Sequence, residues 1–202
     1  MSARDARMPA GLGRIRIIRP STKFVRLSDL RKWRGSEQVA AVCYRLRNRA
    51  IEFLLVRTRR GLWTFPKGGM MAGLTPAQAA ALEAFEEAGV HGRMEEEAFA
   101  RYIRTKRAGR RDRGVDVAVS AHLCEVLRRE RPQEAGRNPS WFSIEKTKRR
   151  LREDRSSDHS SELLLVVDRA VQRIQRSHQP TRALEGPRKV LFIDMKKIRL
   201  LK

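Results

Sequence analysis

The chain has 202 residues, of which 41% are hydrophobic and 34% charged, and its formal net charge is +22 at pH 7. This length suits one domain with extensions or two small domains, and the hydrophobic fraction excludes a chain that is disordered throughout. Because no apolar run approaches the ~20 residues of a membrane span and no apolar stretch follows the first arginines, the composition argues against a membrane-spanning or secreted protein and predicts a cytoplasmic one.

Residues 1–35 are predicted to form a basic N-terminal arm. They hold ten basic and two acidic residues without steady hydrophobic periodicity. Residues 176–202 are similarly basic, with eight basic and two acidic residues. A field of this sign attracts polyanions such as RNA, polyphosphate or heavily phosphorylated small molecules. An arginine-rich genome would give the same composition, so charge alone leaves the partner of the two ends open.

Two strands and a short connection follow the arm. Apolar and β-branched residues predict strands over Glu37–Leu46 and Ile51–Val56, joined by a hairpin turn. A short extended piece is predicted over Leu62–Pro66, and the glycines at 68–69 predict a flexible turn after it.

A helix is predicted over residues 76–88. Thr75 supplies an N-cap hydroxyl, Pro76 fits the first helical position, and Gln78 completes a capping box with Thr75. The alanine-rich run has high helix propensity, and Gly89 ends it as a C′ glycine. Its apolar face consists mostly of small residues suited to close packing on a sheet, namely Ala80, Ala81, Ala84, Phe85 and Ala88.

The second half of the chain also contains both strands and a helix. Strands are predicted over Arg101–Thr105 and Val115–Val126 around a basic loop, and Trp141–Ile144 is a short apolar segment. The last helix is amphipathic, with one apolar face formed by Leu163, Val167, Ala170, Val171 and Ile174. A basic C-terminal tail over 179–202 contains a candidate strand at Val190–Ile193. This order predicts a mixed α/β domain over residues 36–178.

The chain has two cysteines, Cys43 and Cys124, and both lie in apolar, strand-like runs. They show neither metal-ligand spacing nor a disulfide framework. We interpret them as buried thiols in a reducing compartment.

Three glutamates distinguish the first helix. Glu83, Glu86 and Glu87 are spaced i, i+3 and i+4, so they share one helix face. Like charges at this spacing repel one another, and a bound divalent cation removes that cost. Mg²⁺ prefers oxygen ligands and keeps positions for water and substrate phosphate. The spacing therefore points to a metal site, with a solvated acidic face as the alternative.

The segment 68–90 resembles the Nudix box, a signature that spans 23 residues here. The matching positions are Gly68, Glu83, Ala84, Glu86, Glu87, Gly89 and Val90. Leu74 and Leu82 stand where the signature has Glu and Arg, and we interpret them as the hydrophobic replacement of a structural ion pair. The lead-in WTFPKG over 63–68 and the segment at Trp141 add to the resemblance.

This resemblance implies an α/β fold, the Nudix-type α/β/α sandwich with a small mixed sheet, and a Mg²⁺-dependent pyrophosphohydrolase, with Mn²⁺ as the alternative ion. It implies that Gly68, Glu83, Glu86 and Glu87 hold the metal and that the three glutamates are catalytic, Glu86 or Glu87 sharing the role of base. Within the family, the sequence resembles diphosphoinositol-polyphosphate and diadenosine-polyphosphate hydrolases. The expected substrate is thus a phosphorylated small molecule with a phosphoanhydride bond, such as one of these or another nucleoside diphosphate derivative.

Basic side chains near the glutamates are candidates for binding substrate phosphates. Lys67 precedes the first glycine of the box and is predicted to contact a phosphate as a point charge. The other candidates are Arg57, Arg59, Arg60, Lys106 and Arg107. Ordinary solvated loop residues are the alternative for each. We interpret His159 as part of helix capping, with a catalytic base as the alternative. We interpret Glu95–Glu97 as a solvated stretch, with a further acid of the site, which the resemblance allows outside the box, as the alternative.

Two other functions stay open. The leucines at positions 74 and 82 would also fit a Nudix scaffold that has weak or no catalysis and binds RNA or polyphosphate through its basic surface. Metal-independent, salt-sensitive binding without turnover would identify it. Alternatively, the basic arm and tail tether the chain to a large anionic assembly, in which case deleting them removes association and leaves hydrolysis intact.

Overall fold

The structure, a computed structural model, describes residues 37–106, 114–178 and 189–193. The N-terminal arm, Arg107 and most of the C-terminal tail lie outside these ranges, so their boundaries and roles stay predictions. Among the helices of the described ranges, none is long and apolar enough to cross a membrane.

The described residues form one mixed sheet between helical layers. Its strands are β1 (Gln38–Arg47), β2 (Ala50–Arg57), β3 (Trp63–Thr64), β4 (Lys67–Gly69), β5 (Val90–Glu95), β6 (Ala100–Lys106), β7 (Val115–Arg129), β8 (Ser140–Ser143) and β9 (Val190–Phe192). The helices are α1 (Pro76–Ala88), α2 (Ile144–Arg152) and α3 (Ser157–Ser177). The predicted α/β class is confirmed.

Strand β1 lies at the centre of this sheet. It runs parallel to β7 on one edge, while its other edge pairs antiparallel with β4 at its beginning and with β2 at its end. The long strand β7 pairs antiparallel with β6 through its first half and with β5 through its second. Strand β8 joins β2, and β9 joins β5.

Alternating side chains of the sheet bury two cores on opposite faces. One core contains Val42, Phe53 and Leu123 and packs against the apolar faces of α2 and α3. The other contains Val39, Leu54 and the small residues of α1. The α/β/α layering is thus explained by period-two alternation in the strands and helical periodicity in the covering layers. Cys43 and Cys124 are register partners in the second core, buried and free, as predicted for thiols.

The caps predicted for α1 are confirmed. The Thr75 hydroxyl accepts a hydrogen bond from the Gln78 backbone N–H at 3.2 Å, and the Gln78 amide oxygen accepts from the Thr75 N–H at 2.9 Å. Gly89 has φ 64° and donates to the Phe85 carbonyl at 2.7 Å. This left-handed backbone is tolerated by glycine and ends the helix.

One local prediction is wrong. The segment 67–69 is not a flexible turn but strand β4, with Gly68 paired with Val39. Its glycines do not have positive φ, so the backbone is extended and can hydrogen-bond to β1. The pairing fixes Gly68 directly under α1, which makes this correction important for the site.

Candidate active site

Strand β4 brings the backbone of Gly68 against the side chain of Glu83. A Cβ atom built on Gly68 would lie 1.8 Å from Glu83 Oε1 and 2.2 Å from its carboxyl carbon. The carboxylate therefore fills the space that any other residue at position 68 would need. Glycine is required here for close approach rather than for an unusual backbone angle.

Glu83 and Glu87 of α1 contact this strand, and Glu86 lies near Glu83. Glu87 is 2% exposed, whereas Glu83 and Glu86 are half-buried. Burial and the negative charges of Glu87, Glu86 and Glu134 raise the pKa of Glu83 to about 7. The carboxylates thus form one crowded acidic face, as the i, i+3, i+4 spacing predicts.

Two groups hold the buried carboxylate of Glu87. Its Oε2 atom accepts a hydrogen bond from the Lys67 backbone N–H at 3.2 Å, and its Oε1 atom lies 2.6 Å from Arg137 Nη2. Burial raises the pKa of Glu87, although the nearby charges of Lys67 and Arg137 act in the opposite direction. Both oxygens of this side chain are therefore fixed in place.

The loop between β7 and β8 closes over the end of α1. The backbone N–H groups of Gln133 and Glu134 both donate to the Glu86 carbonyl at 3.0 Å. Arg137 bridges Glu87 to Glu134, with Nη2 2.7 Å from Glu134 Oε2. Glu134 thereby adds a fourth carboxylate beside the three on α1.

A cluster of cations lies on the other side of Lys67. Burial and Arg104 lower the pKa of Lys67 to about 8, while Glu87 raises it. Arg155 donates to the backbone carbonyls of Trp63 and Leu151, and burial lowers its pKa. Lys67, Arg104 and Arg155 therefore form a partly desolvated positive patch, called here the cation cluster, beside the carboxylates.

Three of the remaining predicted phosphate contacts lie at the β2–β3 turn, and the other two lie at the end of β6 or outside the described ranges. The Arg57 guanidinium donates to the Gly61 carbonyl at 2.8 Å and stacks 4.4 Å from the Trp63 ring centre, so it stabilises the β2–β3 turn. Arg59 and Arg60 are exposed on the same turn. Lys106 ends β6, whereas Arg107 lies outside the described residues.

The acidic run after β5 is only partly solvated. Glu96 and Glu97 are exposed. Glu95 is 8% exposed and its Oε2 lies 2.5 Å from Arg173 Nε, so the solvated prediction is wrong for this residue. Arg173 lies near the end of α3, and a partner so distant in sequence offered no local signal for the burial of Glu95.

Both leucines that depart from the signature lie in the core under α1. Leu82 is 3% exposed, and Leu74 packs against the same apolar cluster. This placement supports the interpretation of a hydrophobic replacement, because an apolar pair leaves no charge buried without a partner.

The donor set fits a hard divalent cation. Carboxylate oxygens of Glu83 and Glu87 meet strand β4, and Glu86 lies near Glu83. Oxygen ligands are those that Mg²⁺ prefers. Because Gly68 has no Cβ, the Glu83 carboxylate lies directly against the main chain of β4. Within 37–106, 114–178 and 189–193, no group of three or more His, Cys, Asp and Glu side chains is gathered as a ready-made metal cluster. The fit therefore rests on the donor chemistry and on the Gly68 contact.

A family model described as the NUDIX domain matches residues 36–164. The chain belongs to the NUDIX domain family. This membership confirms the resemblance seen in the sequence and the predicted enzyme class, a hydrolase acting on phosphorus-containing anhydrides. Enzymes of this family generally use a divalent metal.

Solved structures share the Nudix fold of this chain. A Caenorhabditis elegans Ap4A hydrolase in a binary complex is 21% identical over 70% of this chain and 98% of its own, with a TM-score of 0.54. A Nudix hydrolase from Nitrosomonas europaea is 20% identical over 75% and 99%, with a TM-score of 0.50. A MutT/nudix family protein from Enterococcus faecalis is 18% identical over 78% and 73%, also with 0.50. No curated protein matches the sequence.

His159 of the Nudix domain does not cap a helix. Helix α3 has Ser156 at its N-cap, and His159 lies in the first turn with Nδ1 buried and without a hydrogen-bond partner. Burial, followed by the charges of Arg155 and Arg104, lowers the pKa of this imidazole to about 4. The capping interpretation is therefore wrong, since Ser156 precedes the helix and the ring is turned inward.

The pKa of His159 predicts an acid-sensitive contribution to stability. In the unfolded chain the imidazole binds a proton near its ordinary pKa of ~6.5, whereas in the folded chain it does so only near pH 4. The contribution of the neutral His159 to the free energy of unfolding is therefore complete above pH ~6.5 and is lost as the pH falls towards 4. We expect His159→Gln to reduce the loss of unfolding free energy between pH 7 and 5 by about 1 kcal/mol, roughly half of what the two pKa values give, because the partly exposed ring is screened by solvent. Urea titrations at several pH values measure this difference in the free energy of unfolding. His178→Gln, an exposed change at the other end of α3, is the control, and an unaltered pH slope in His159→Gln would contradict the prediction.

Sequence reasoning missed three residues of the site: Arg137, Glu134 and Arg155. They lie in connections between elements, where no periodicity marks a side chain as inward-facing.

Proposed function

We propose that this Nudix domain is a Mg²⁺-dependent pyrophosphohydrolase that cleaves a phosphoanhydride bond in a highly charged substrate. The observation that carries the proposal is the direct contact between two surfaces of opposite charge. The acidic face of α1 meets the cation cluster through Lys67, whose N–H binds Glu87 at 3.2 Å. A pyrophosphate laid across this junction has metal ligands at one end and cations at the other.

The proposed chemistry divides between these two surfaces. When bound by Gly68, Glu83, Glu86 and Glu87, Mg²⁺ supplies the positive charge that polarises phosphoryl oxygens and activates water. The water attacks phosphorus, the bridging P–O bond breaks, and the leaving phosphate carries the electron pair away. Lys67, Arg104 and Arg155 neutralise the negative charge that develops there.

Glu86 is the better placed of the two candidate bases. Both carboxylate oxygens of Glu87 are engaged, one by Arg137 and one by Lys67. The half-buried Glu86 carboxylate has no ion pair or hydrogen bond to another part of the described chain, while its backbone carbonyl is anchored by the β7–β8 loop. We assign to Glu86 the acceptance of the proton from the attacking water.

Charge and the C. elegans neighbour support the proposed substrate class. That protein is an Ap4A hydrolase, so a dinucleoside polyphosphate is the first candidate, followed by a diphosphoinositol polyphosphate and other nucleoside diphosphate derivatives. Arg59, Arg60, Lys106 and Arg107 are proposed as outer phosphate contacts, and Mn²⁺ as the alternative ion. The buried free thiols of Cys43 and Cys124 support a reducing, cytoplasmic location.

A substrate panel tests the proposal. We expect phosphate release that requires Mg²⁺ and stops with EDTA from at least one of diadenosine tetraphosphate, a diphosphoinositol polyphosphate, a nucleoside diphosphate sugar and triphosphorylated RNA. Arg104→Ala is expected to raise KM about tenfold, the loss of one charge-assisted contact. Arg101→Ala, an exposed change on the same strand, is the control. Absence of turnover with tight, metal-independent and salt-sensitive RNA binding would instead identify the scaffold function.

A further inference from the structure

Helix α1 has no cation of its own to balance its carboxylates. The sequence of Pro76–Ala88 contains neither Lys nor Arg. Leu82, which directly precedes Glu83 and lies one turn before Glu86, is 3% exposed in an apolar cluster. A buried carboxylate without a positive partner is costly, so the charge that holds Glu87 has to come from another element.

Arg137 supplies that charge from the loop between β7 and β8. Its Nη2 atom lies 2.6 Å from Glu87 and 2.7 Å from Glu134, and its Nε atom donates to Glu134 at 2.7 Å. The side chain is 19% exposed. Its backbone carbonyl accepts from the Arg57 N–H at 2.6 Å, which anchors the loop to β2. A planar guanidinium held from two sides has one preferred orientation.

We propose that Arg137 is a positioning residue, an inference that rests on the proposed function. Its guanidinium fixes Oε1 of Glu87, the Lys67 N–H fixes Oε2, and the plane of this metal-ligating carboxylate is thereby set before the metal binds. Glu134 accepts from the same Nη2 atom and from Nε, and it adds a second negative charge beside the guanidinium. Outer partners of this kind orient ligands and tune metal affinity.

Three variants test the role of Arg137: Arg137→Ala, Arg137→Lys and the control Arg131→Ala, an exposed arginine of the same loop. Mn²⁺ binding is measured without substrate by electron paramagnetic resonance. Turnover is measured separately with diadenosine tetraphosphate. We expect Arg137→Ala to weaken Mn²⁺ binding about tenfold and to lower kcat about 30-fold, with KM nearly unchanged. Added guanidinium is expected to restore part of kcat in Arg137→Ala, and Arg137→Lys to retain an intermediate Mn²⁺ affinity.

The outcomes separate this inference from the proposed function. Equal Mn²⁺ affinity in Arg137→Ala and the unaltered chain overturns the positioning role. So does a loss that neither guanidinium nor the lysine variant relieves, because collapse of the loop would then be the cause. If the unaltered chain turns over no substrate of the panel while Arg137→Ala weakens Mn²⁺ binding, the proposed function fails and the positioning of Glu87 stands.

Discussion

Glu83→Gln is expected to lower turnover about 10³-fold and to make the metal-free protein more stable. The substitution keeps the shape of the side chain against Gly68 and removes one metal-ligating charge, and metal stabilisation of the transition state contributes several kcal/mol. It also removes the repulsion of Glu83 by Glu87 and Glu86, which together with burial, the larger cause, raises the pKa of Glu83. Two like-charge helical pairs cost about 0.5–1 kcal/mol together, so the melting temperature should rise by roughly 1–4 °C.

Opposite effects on activity and stability are characteristic of a functional site. Melting curves in EDTA and initial rates in Mg²⁺ measure the two effects separately. Glu97→Gln makes the same chemical change at an exposed acid outside the site and should alter neither. Turnover unchanged in Glu83→Gln would remove this residue from the metal site, whereas a lower melting temperature would show that the carboxylate contributes to folding.

The parts of the site that could be predicted are those specified by local sequence. Thr75, Gln78 and Gly89 act within one turn of the helix they cap, so their hydrogen bonds follow from spacing. Glu83, Glu86 and Glu87 share a face because the helical period places them there. The family resemblance named the same helix, since the signature lies within one continuous segment.

The parts that could not be predicted depend on chain segments far apart in sequence. Gly68 looked like a flexible position because glycine does not specify a conformation; pairing with Val39 made it a strand residue. Arg137 and Arg155 lie in polar connections, and their roles follow from the carboxylates and carbonyls that folding brings near them. Glu95 was likewise misjudged, because its partner Arg173 is 78 residues away.

Gly68→Ala is expected to lower turnover about 100-fold while leaving stability within about 1 kcal/mol of the unaltered chain. The backbone of Gly68 is not left-handed, so alanine is conformationally allowed and even restricts the unfolded chain. The added Cβ would lie 1.8 Å from Glu83 Oε1, the end of a flexible side chain that can swing away. The carboxylate is then displaced from its ligating position, and a displacement of ~1 Å at a reacting centre is sufficient for a loss of this size.

Gly69→Ala is the matched control for this substitution. The two glycines are neighbours in β4, neither has a positive φ, and a Cβ on Gly69 would meet nothing within 4 Å. We therefore expect Gly69→Ala to retain turnover and Mn²⁺ affinity, and Gly68→Ala to lose both with an unchanged melting temperature. Equal activity in the two variants would contradict the close approach of Glu83 as the reason for glycine at position 68. Equal loss in both would place the requirement in the β4–β1 pairing, because that pairing is the feature the two positions share.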